Sequence, residues 1–382
     1  MPYFDKRLIY PEYSNHQVRK AGEKIRTNSL TPKDEEIVEN WRSSHNHVLN
    51  TWLITLISRI KTNNVSAVPG QRLKRKSTIY DKLKRPGTKR MMLNRMYDIA
   101  GCRIVFENLN DLYDFRDSMI HGSRFKHKLK KNLCKNYIQT PKATGYRSIH
   151  DIYEYKSDPR KATEKNPARP THWNGLYVEI QYRTKHQHAW ATAVEIADII
   201  KKSRTKFTLA AVTDQDQFFQ YASEIIARAY EGKNSCLPHL TNGELIATFN
   251  SLNIKLNLLA ILKSITAVYE DKDYKNKKAL VMRLRVEDSK PIVEITPFKS
   301  LSEADKRYKK LEKEYPNDDT VLVKSDSFSN IKNIFRNYFA DAAEFVQYME
   351  DAIVAISEER ILFDPESKRA KKVRQLSLFD DI

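Results

Sequence analysis

The sequence predicts an α+β fold organised as two domains. Three observations lead to this prediction: a long run with helical spacing near the start, three strand-like runs between residues 102 and 183, and a second series of helices and strands beyond residue 243. A chain of 382 residues is long enough for two domains or three.

The first long helix is predicted over residues 33–61. Thr31 and Pro32 are typical of an N-cap followed by the first helical residue. Apolar side chains then recur close to helical spacing, at Ile37, Trp41, Val48, Trp52 and Leu56.

Strands are predicted over residues 102–106, 148–155 and 176–183. The last of these alternates strictly between apolar and polar side chains, which indicates a sheet with one buried face and one polar face. The apolar set is Val178, Ile180 and Tyr182, and the polar set is Glu179, Gln181 and Arg183. Residues 185–203 return to helical spacing.

A domain boundary is predicted near residues 235–243, where Pro238 and Gly243 interrupt a polar stretch. The first domain then covers residues 1–234, and a smaller α+β module covers residues 240–364. In the module, helices are predicted over 244–268, 302–314 and 328–356, and strands over 279–286, 291–297 and 320–324. Residues 365–382 are expected to be a basic, flexible tail.

Composition excludes several classes of site. The nine glycines are too widely spaced for a G-x-G-x-x-G turn or a Walker A loop, so a phosphate site must use side-chain cations. The formal net charge of +19 indicates an anionic partner such as a nucleotide, a nucleic acid or the ribosome, or else a generally basic protein.

The cysteines and the apolar runs indicate a cytoplasmic protein. Three widely separated cysteines suggest neither a metal site nor a disulfide framework, which fits a reducing compartment. No apolar run approaches the roughly 20 residues that span a bilayer, and the N-terminus lacks the apolar core of a signal peptide.

A row of cations is the first candidate binding site. If residues 74–82 are helical, Lys74, Thr78 and Lys82 lie at i, i+4 and i+8 on one face, with Arg72 just before them. Two ammonium groups and a hydroxyl suit a chain of phosphates. The alternative is a solvated basic face.

Two carboxylates are the candidate metal ligands. Asp98 precedes a short buried strand that carries Arg103, and Glu179 lies on the polar face of another strand. Carboxylates from separate strands beside a cationic face predict a Mg²⁺ site on a nucleotide, although a lone strand carboxylate is more often simply solvated.

The segment 141–150, PKATGYRSIH, is the third candidate. Gly145 favours a turn, and Tyr146 beside it is placed to stack on a base. His150 lies two residues beyond Ser148 on the same strand face.

Taken together, these motifs and VEIQYRTKHQHAWATAVE resemble a RelA/SpoT-type synthetase domain over roughly residues 35–230. The resemblance implies a nucleotidyltransferase-like mixed sheet flanked by helices. It also implies transfer of the β,γ-pyrophosphoryl group of ATP to a ribose 3′-hydroxyl.

The resemblance implies roles for the residues on the ATP side. Arg72 and Arg103 would sandwich the adenine, while Lys74, Thr78, Lys82 and His150 would hold the phosphates, with Thr78 standing where the family has serine. Asp98 and Glu179 would hold Mg²⁺, and Glu179 would also activate the attacking hydroxyl.

It implies further roles on the acceptor side. Tyr146 would stack on the acceptor base, Lys142 would contact acceptor phosphate, and Gln181 and Arg183 would support this face. His188 lies near a position where many small synthetases place asparagine against guanine, so this departure bears on guanine selectivity.

Two acceptors are compatible with the sequence. One is GDP or GTP, giving ppGpp or pppGpp, and the other is the 3′-terminal adenosine of tRNA, an acceptor of toxic small members of the superfamily. Residues 124–135 hold six lysines and arginines without an acidic residue, which favours an RNA stem, although the same charges are compatible with a solvated loop.

The second module resembles fused toxin–antitoxin enzymes of the CapRel kind, which act in phage defence. That resemblance implies that the C-terminal domain holds the enzyme inactive until a phage capsid protein binds, with Phe335 and Tyr338 as an aromatic plug between Arg72 and Arg103. The alternative is that both rings face the core of an amphipathic helix.

The tail and the catalytic class of the chain each allow a further interpretation. The tail segment Gln375–Phe379 resembles a peptide that docks into bacterial sliding clamps; the alternative is a disordered end or a tail docked onto its own domain. A catalytically inactive RNA-binding or ribosome-binding regulator on the same fold is the non-enzymatic alternative, against which the presence of Asp98 and Glu179 argues.

Overall fold

Two groups of residues pack separately in the computed structural model. One is Met1–Tyr137 with Ser148–Thr184, and the other is Ile138–Arg147 with Lys185–Ile382. The structure describes residues 9–85, 87, 91–121, 127–157, 170–204, 213–263, 266–269, 279–287, 290–315, 318–324 and 328–362.

The first unit combines helices with a sheet. Its elements, in chain order, are α1 (Asn15–Arg26), α2 (Pro32–Thr62), β1 (Ala67–Leu73), α3 (Lys76–Lys84), β2 (Ala100–Phe106), α4 (Leu109–His121), β3 (Lys128–Leu129), β4 (Lys135–Asn136), β5 (Ile149–Glu154) and β6 (Tyr177–Thr184). The strand order is β1-β2-β6-β5-β3, and β4 also pairs with β5. Because β2 and β6 are parallel while the other pairs are antiparallel, the sheet is mixed, as predicted.

Helix α2 covers the apolar face of this sheet. Its N-terminus has the predicted cap, since the Thr31 side chain accepts a hydrogen bond from the Asp34 N–H and Pro32 is the first helical residue. The apolar side chains that predicted the helix are all buried, and α2 contacts β1 and β2. In β6, Val178, Ile180 and Tyr182 are fully buried, so the predicted alternation is confirmed.

The second unit contains a helical group and a smaller sheet. Its elements are α5 (Lys185–Arg204), α6 (Asp214–Glu231), α7 (Asn242–Leu256), α8 (Leu258–Lys263), β7 (Thr266–Tyr269), β8 (Ala279–Glu287), β9 (Lys290–Phe298), α9 (Leu301–Glu314), β10 (Asp319–Lys324) and α10 (Phe328–Ser357). The four-stranded sheet has the order β10-β8-β9-β7.

One predicted helix is wrong in this unit. Residues 244–268 do not form a single helix, because Asn257 adopts a left-handed conformation with φ of 53° and ends α7. A short helix follows, and Thr266–Tyr269 then pairs in parallel with β9 as β7. The other strands and helices predicted for this module are confirmed within one residue at most termini.

The helical group shares one apolar core. Buried side chains of α5 and α6, such as Trp190 and Phe218, belong to the same cluster as Phe249 of α7 and Phe345 of α10. The compact units therefore divide the chain differently from the predicted boundary near residues 235–243. The predicted domains at residues 1–234 and 240–364 remain a prediction.

In the part of the chain that the structure describes, no helix has the length and apolarity needed to cross a membrane.

Buried histidines couple the stability of the first unit to pH. Burial lowers the pKa of His45, His47 and His127 to about 4 each. The ordinary pKa of histidine is about 6.5, so between roughly pH 6.5 and pH 4 the unfolded chain binds more protons than the folded chain. Stability that is present above this window is therefore lost as the pH falls through it.

We expect the variant His47→Phe to weaken this dependence. The His47 ring stacks on Trp173 with the ring centroids 3.8 Å apart, and phenylalanine can keep that stack without titrating. The slope of the unfolding free energy against pH should fall by about one proton between pH 7 and pH 5, measured by chemical denaturation. The exposed His16→Phe variant is the control for the substitution itself, and an unchanged slope in His47→Phe would contradict the expectation.

Candidate functional site

One face of the first unit's sheet carries the predicted polar residues. Residues directly opposite one another on paired strands share a face of the sheet. The strand register therefore arranges the polar residues of this face in two neighbouring rows that run across the strands. The first row runs Arg72, Gly101, Glu179 across β1, β2 and β6. The second runs Gly70, Arg103, Gln181, His150 across β1, β2, β6 and β5.

Asp98 lies just before β2, and its carboxylate binds two lysines. Lys74 Nζ and Lys82 Nζ each donate a hydrogen bond to Asp98 Oδ2 at 2.8 Å. Burial disfavours the charged form, but the two ammonium groups outweigh it and hold the pKa of Asp98 below its ordinary value. Asp98 Oδ1 is buried without a hydrogen-bond partner among the described residues. The carboxylate is thus ionised, and one of its oxygens is available to a further ligand.

Lys74 reaches Asp98 from the end of β1. The spacing predicts Lys74, Thr78 and Lys82 on one helical face, and this is wrong for Lys74, because α3 begins two residues later. The Lys74 N–H donates to the Ile99 carbonyl at 2.8 Å, which extends the pairing of β1 and β2 past the strand end. Thr78 and Lys82 do lie one turn apart on α3, and Lys74 joins Lys82 through Asp98 rather than through a shared helix.

The cations of this cluster crowd one another. Burial lowers the pKa of Lys74, and the charges of Lys82 and Arg72 lower it further, against the opposing effect of Asp98. A polyanion placed here would relieve the repulsion among three positive side chains.

Glu179 is held by hydrogen bonds along the same face. His150 Nδ1 lies 2.9 Å from Glu179 Oε1, and Gln181 Nε2 donates to Glu179 Oε2 at 2.6 Å. Arg183 Nη2 donates in turn to Gln181 Oε1 at 3.0 Å. Burial disfavours charge on Glu179, but its contacts with His150 and Gln181 outweigh this and hold its pKa below the ordinary value.

The structure brings Asp98 and Glu179 into one electrostatic environment. The negative charge of Asp98 raises the pKa of Glu179, partly against the hydrogen bonds that lower it. Gly101, which follows Asp98 by three residues, lies directly opposite Glu179 in the parallel pair of β2 and β6.

Glycines keep the face open between the charged side chains. A Cβ built on Gly101 would have one described atom within 4 Å, the Arg72 carbonyl oxygen at 3.6 Å. A Cβ on Gly70 would lie 4.0 Å from Arg103 Nη2. Arg72 is exposed and Arg103 is half-buried, so a flat ligand could approach both guanidinium groups over these two glycines.

The carboxylates fit a magnesium ion. The described residues contain no group of three or more His, Cys, Asp and Glu able to hold a metal, which excludes an all-protein cage from that part of the chain. Mg²⁺ commonly takes one or two carboxylates and completes its shell with water and substrate phosphates. Asp98 Oδ1 is the better candidate ligand, because both oxygens of Glu179 already accept hydrogen bonds.

The predicted acceptor residues belong to the second unit. Lys142 Nζ lies 5.1 Å from the centroid of the Tyr146 ring, and Tyr146 is half-buried. His188 is on α5 and is 2% exposed. The predictions do not single out Arg147, the next residue after Tyr146, although it is buried. A charged side chain between Tyr146 and the strand that follows is the signal that could have found it.

Other predicted features lie partly or wholly outside the described residues. Of the basic patch, residues 124–126 lie outside, Lys130 pairs with Glu154 at 3.1 Å, and Lys128, Lys131 and Lys135 are exposed. Phe335 and Tyr338 fall within α10, but their side chains are not among those described, and neither are the tail and its segment Gln375–Phe379. Asp151, next to His150, is buried and forms an ion pair with Arg116.

Comparison with known proteins gives one family and one curated relative. Residues 71–205 match the family described as the region found in RelA / SpoT proteins. GTP pyrophosphokinase YwaC of Bacillus subtilis (strain 168) is 33% identical over 124 residues, which is 32% of this chain and 52% of the relative. The chain thus spans about half the length of the curated relative that it matches.

Solved structures of similar chains include two small alarmone synthetases of Bacillus subtilis. Synthetase 2 has a TM-score of 0.38 and 23% identity, over 57% of this chain and 98% of the other. Synthetase 1 bound to its product pppGpp has a TM-score of 0.36 and 22% identity, over 48% of this chain and 87% of the other.

The lysine pair should control the ionisation of Asp98. In Lys82→Met one of the two ammonium groups is removed, so the pKa of Asp98 should rise, and it should rise further in the double variant with Lys74→Met. Carboxyl ¹³C chemical shifts followed against pH measure this. Lys84→Met, which removes an exposed lysine of the same helix, is the matched control. A pKa of Asp98 that is the same in Lys82→Met as in the wild type would contradict this account of the site.

Proposed function

We propose, on the premise that residues 71–205 are a RelA/SpoT-type synthetase region, that this chain is a pyrophosphokinase. It would transfer the β,γ-pyrophosphoryl group of ATP to a ribose 3′-hydroxyl, with AMP as the leaving group. The observation that supports this most strongly is Asp98, held between Lys74 and Lys82 and electrostatically coupled to Glu179. This arrangement combines anion-binding and metal-binding groups on a sheet face that also carries Arg72 and Arg103.

The donor would bind along the polar face. Arg72 and Arg103 would hold the adenine over Gly70 and Gly101, because guanidinium groups stack well on flat rings. Lys74 and Lys82, with the hydroxyl of Thr78 and with His150, would bind the phosphates. The phosphates would then take over the two ammonium groups that Asp98 binds in the free protein.

Asp98 and Glu179 would hold Mg²⁺, which would supply positive charge against the negative charge that develops in transfer. The protein's own contribution is alignment of the donor with the hydroxyl. Glu179 is ionised in the free protein and can accept the hydroxyl proton. The negative charge of a bound nucleotide would raise its pKa toward the working pH, where a general base is most effective.

Two acceptors remain in competition. The name of the curated relative favours a guanosine nucleotide, which would make the chain a (p)ppGpp synthetase. The exposed Lys128, Lys131 and Lys135 favour the 3′ end of tRNA instead. On that second reading, transfer would block translation, and the chain would serve as a toxin in phage defence.

If the acceptor is tRNA and the chain is a toxin, we propose that its C-terminal part inhibits the enzyme. A phage capsid protein would then be the activator, with Phe335 and Tyr338 as candidates for the inhibitory contact. Truncation near residue 240 is a poor test of this idea, because α7 and α10 share the apolar core of α5 and α6. Inhibition therefore has to be tested in the full-length chain.

The variants Asp98→Asn and Glu179→Gln should lose transfer. Each substitution keeps the size of the side chain but removes a charge that aligns the metal and the phosphates, so the rate should fall by about 10²–10³. The measurement is transfer of label from γ-labelled ATP in the presence of Mg²⁺. Glu154→Gln, which changes a carboxylate on β5 that pairs with Lys130, is the matched control. Wild-type rates in Asp98→Asn or Glu179→Gln would refute the proposal.

The same assay identifies the acceptor when GDP, GTP and deacylated tRNA are supplied separately. A guanosine acceptor predicts labelled nucleotide and no labelled RNA, and Lys128→Ala with Lys131→Ala should then leave the rate unchanged. A tRNA acceptor predicts label at the RNA 3′ end, a rate that falls steeply with salt, and a weaker salt dependence in the lysine variants. Label in neither product would overturn both readings.

A further inference from the structure

The segment 138–147 is anchored to helix α6 through a glycine. Gly145 has φ of +86°, a conformation that side chains disfavour, and a Cβ there would come within 2.8 Å of Ser223 Cβ. The Ser223 hydroxyl donates to the Gly145 carbonyl. The backbone of the segment therefore lies directly against α6 at this point.

A buried ion pair makes a second attachment. Arg147 Nη1 lies 2.5 Å from Glu231 Oε1 at the end of α6, and Arg147 Nε donates to Ser223 Oγ at 3.1 Å. The side chains of Arg147 and Glu231 are 2% and 1% exposed. Ser223 thus contacts the segment on both sides of Tyr146, at Gly145 and at Arg147.

Glu231 also connects this attachment to other parts of the second unit. Gln187 Nε2 of α5 donates to Glu231 Oε1 at 2.9 Å, and Lys233 Nζ lies 3.9 Å from Glu231 Oε2. Replacing a buried ion pair with apolar side chains of the same volume is often neutral or stabilising, so we ascribe to this pair a role in fixing geometry rather than in stability. The geometry fixed here is that of the segment next to Tyr146.

The attached segment contains a tight turn. The Gly145 N–H donates to the Lys142 carbonyl at 2.8 Å, and the Lys142 N–H donates to the Tyr146 carbonyl at 3.3 Å. The turn brings residues 142 and 146 together, and the Lys142 ammonium lies 5.1 Å from the centroid of the Tyr146 ring. A loss of the attachment at Gly145 or Arg147 would release both.

We propose that Ser223 and Glu231 are positioning residues for the acceptor nucleotide. Through Gly145 and Arg147 they hold the turn in the one conformation in which Tyr146 meets the base and Lys142 meets the phosphates of a nucleoside diphosphate. The proposal rests on the proposed function, in which Lys142 and Tyr146 bind the acceptor.

The same helix supplies a matched control. Glu224 is fully buried, as Glu231 nearly is, but it pairs with Arg228 at 2.9 Å and accepts hydrogen bonds from the Ser235 and Leu237 N–H groups. Glu224→Gln and Glu231→Gln therefore each remove one buried negative charge from α6, and only Glu231→Gln weakens the attachment of residues 138–147.

The test uses the full-length chain and two readouts. Hydrogen exchange of peptides covering residues 138–147 should be about tenfold faster in Glu231→Gln and in Ser223→Ala, and unchanged in Glu224→Gln. With ATP and GDP as substrates, the KM for GDP should rise about tenfold in the first two variants, while kcat and the KM for ATP stay within about twofold.

The proposal would be overturned if residues 138–147 exchanged equally fast in Glu231→Gln and Glu224→Gln. It would also be overturned if Glu231→Gln lowered kcat and raised the KM values for GDP and ATP to the same extent, because the ion pair would then have only a structural role. If Glu231→Gln fails to fold, Ser223→Ala decides, because it removes a hydroxyl and no charge. A wild-type chain that transfers nothing to GDP would refute the proposed acceptor, and the exchange experiment would still show whether Ser223 and Glu231 hold the segment.

Discussion

The site depends on one shared carboxylate oxygen. Asp98 Oδ2 accepts hydrogen bonds from Lys74 at the end of β1 and from Lys82 on α3, so a single atom joins three segments of the chain. The two ammonium groups keep the carboxylate ionised despite its burial, and Oδ1 is left without a partner in the described part of the chain. In the proposed function, a bound polyphosphate would replace Asp98 on the lysines and leave the carboxylate to a divalent ion.

Much of this fold could be predicted from local pattern. The spacing of apolar residues in α2 and the alternation of apolar and polar residues in β6 are both strong sequence signals, because each element buries only one of its faces. Strand β1 is not predicted, since Pro69 and Gly70 within it are typical of strand ends and turns. Lys74 is predicted on the wrong element for the same reason. Because strand β1, which ends at Leu73, is not predicted, the i, i+4, i+8 spacing of the lysines suggests a single helix that includes Lys74.

The long-range contacts of the site could be predicted only in part. Motif resemblance points to Asp98 and Glu179, and strand pairing places Gly101, three residues after Asp98, directly opposite Glu179. The attachment of Gly145 and Arg147 to α6 joins residues more than 70 positions apart, and neither Ser223 nor Glu231 stands in a recognisable motif. Sequence pattern also predicts a helix through residue 268, because a left-handed Asn257 leaves no mark in apolar spacing.

The most direct test of the central claim is Mn²⁺ binding followed by electron paramagnetic resonance, with a non-hydrolysable ATP analogue present. The account predicts one Mn²⁺ bound per chain in the wild type, a strong loss of binding in Asp98→Asn and Glu179→Gln, and retained binding in Glu154→Gln. Mn²⁺ bound equally well by Asp98→Asn and the wild type would contradict it, because the two carboxylates would then not form the metal site.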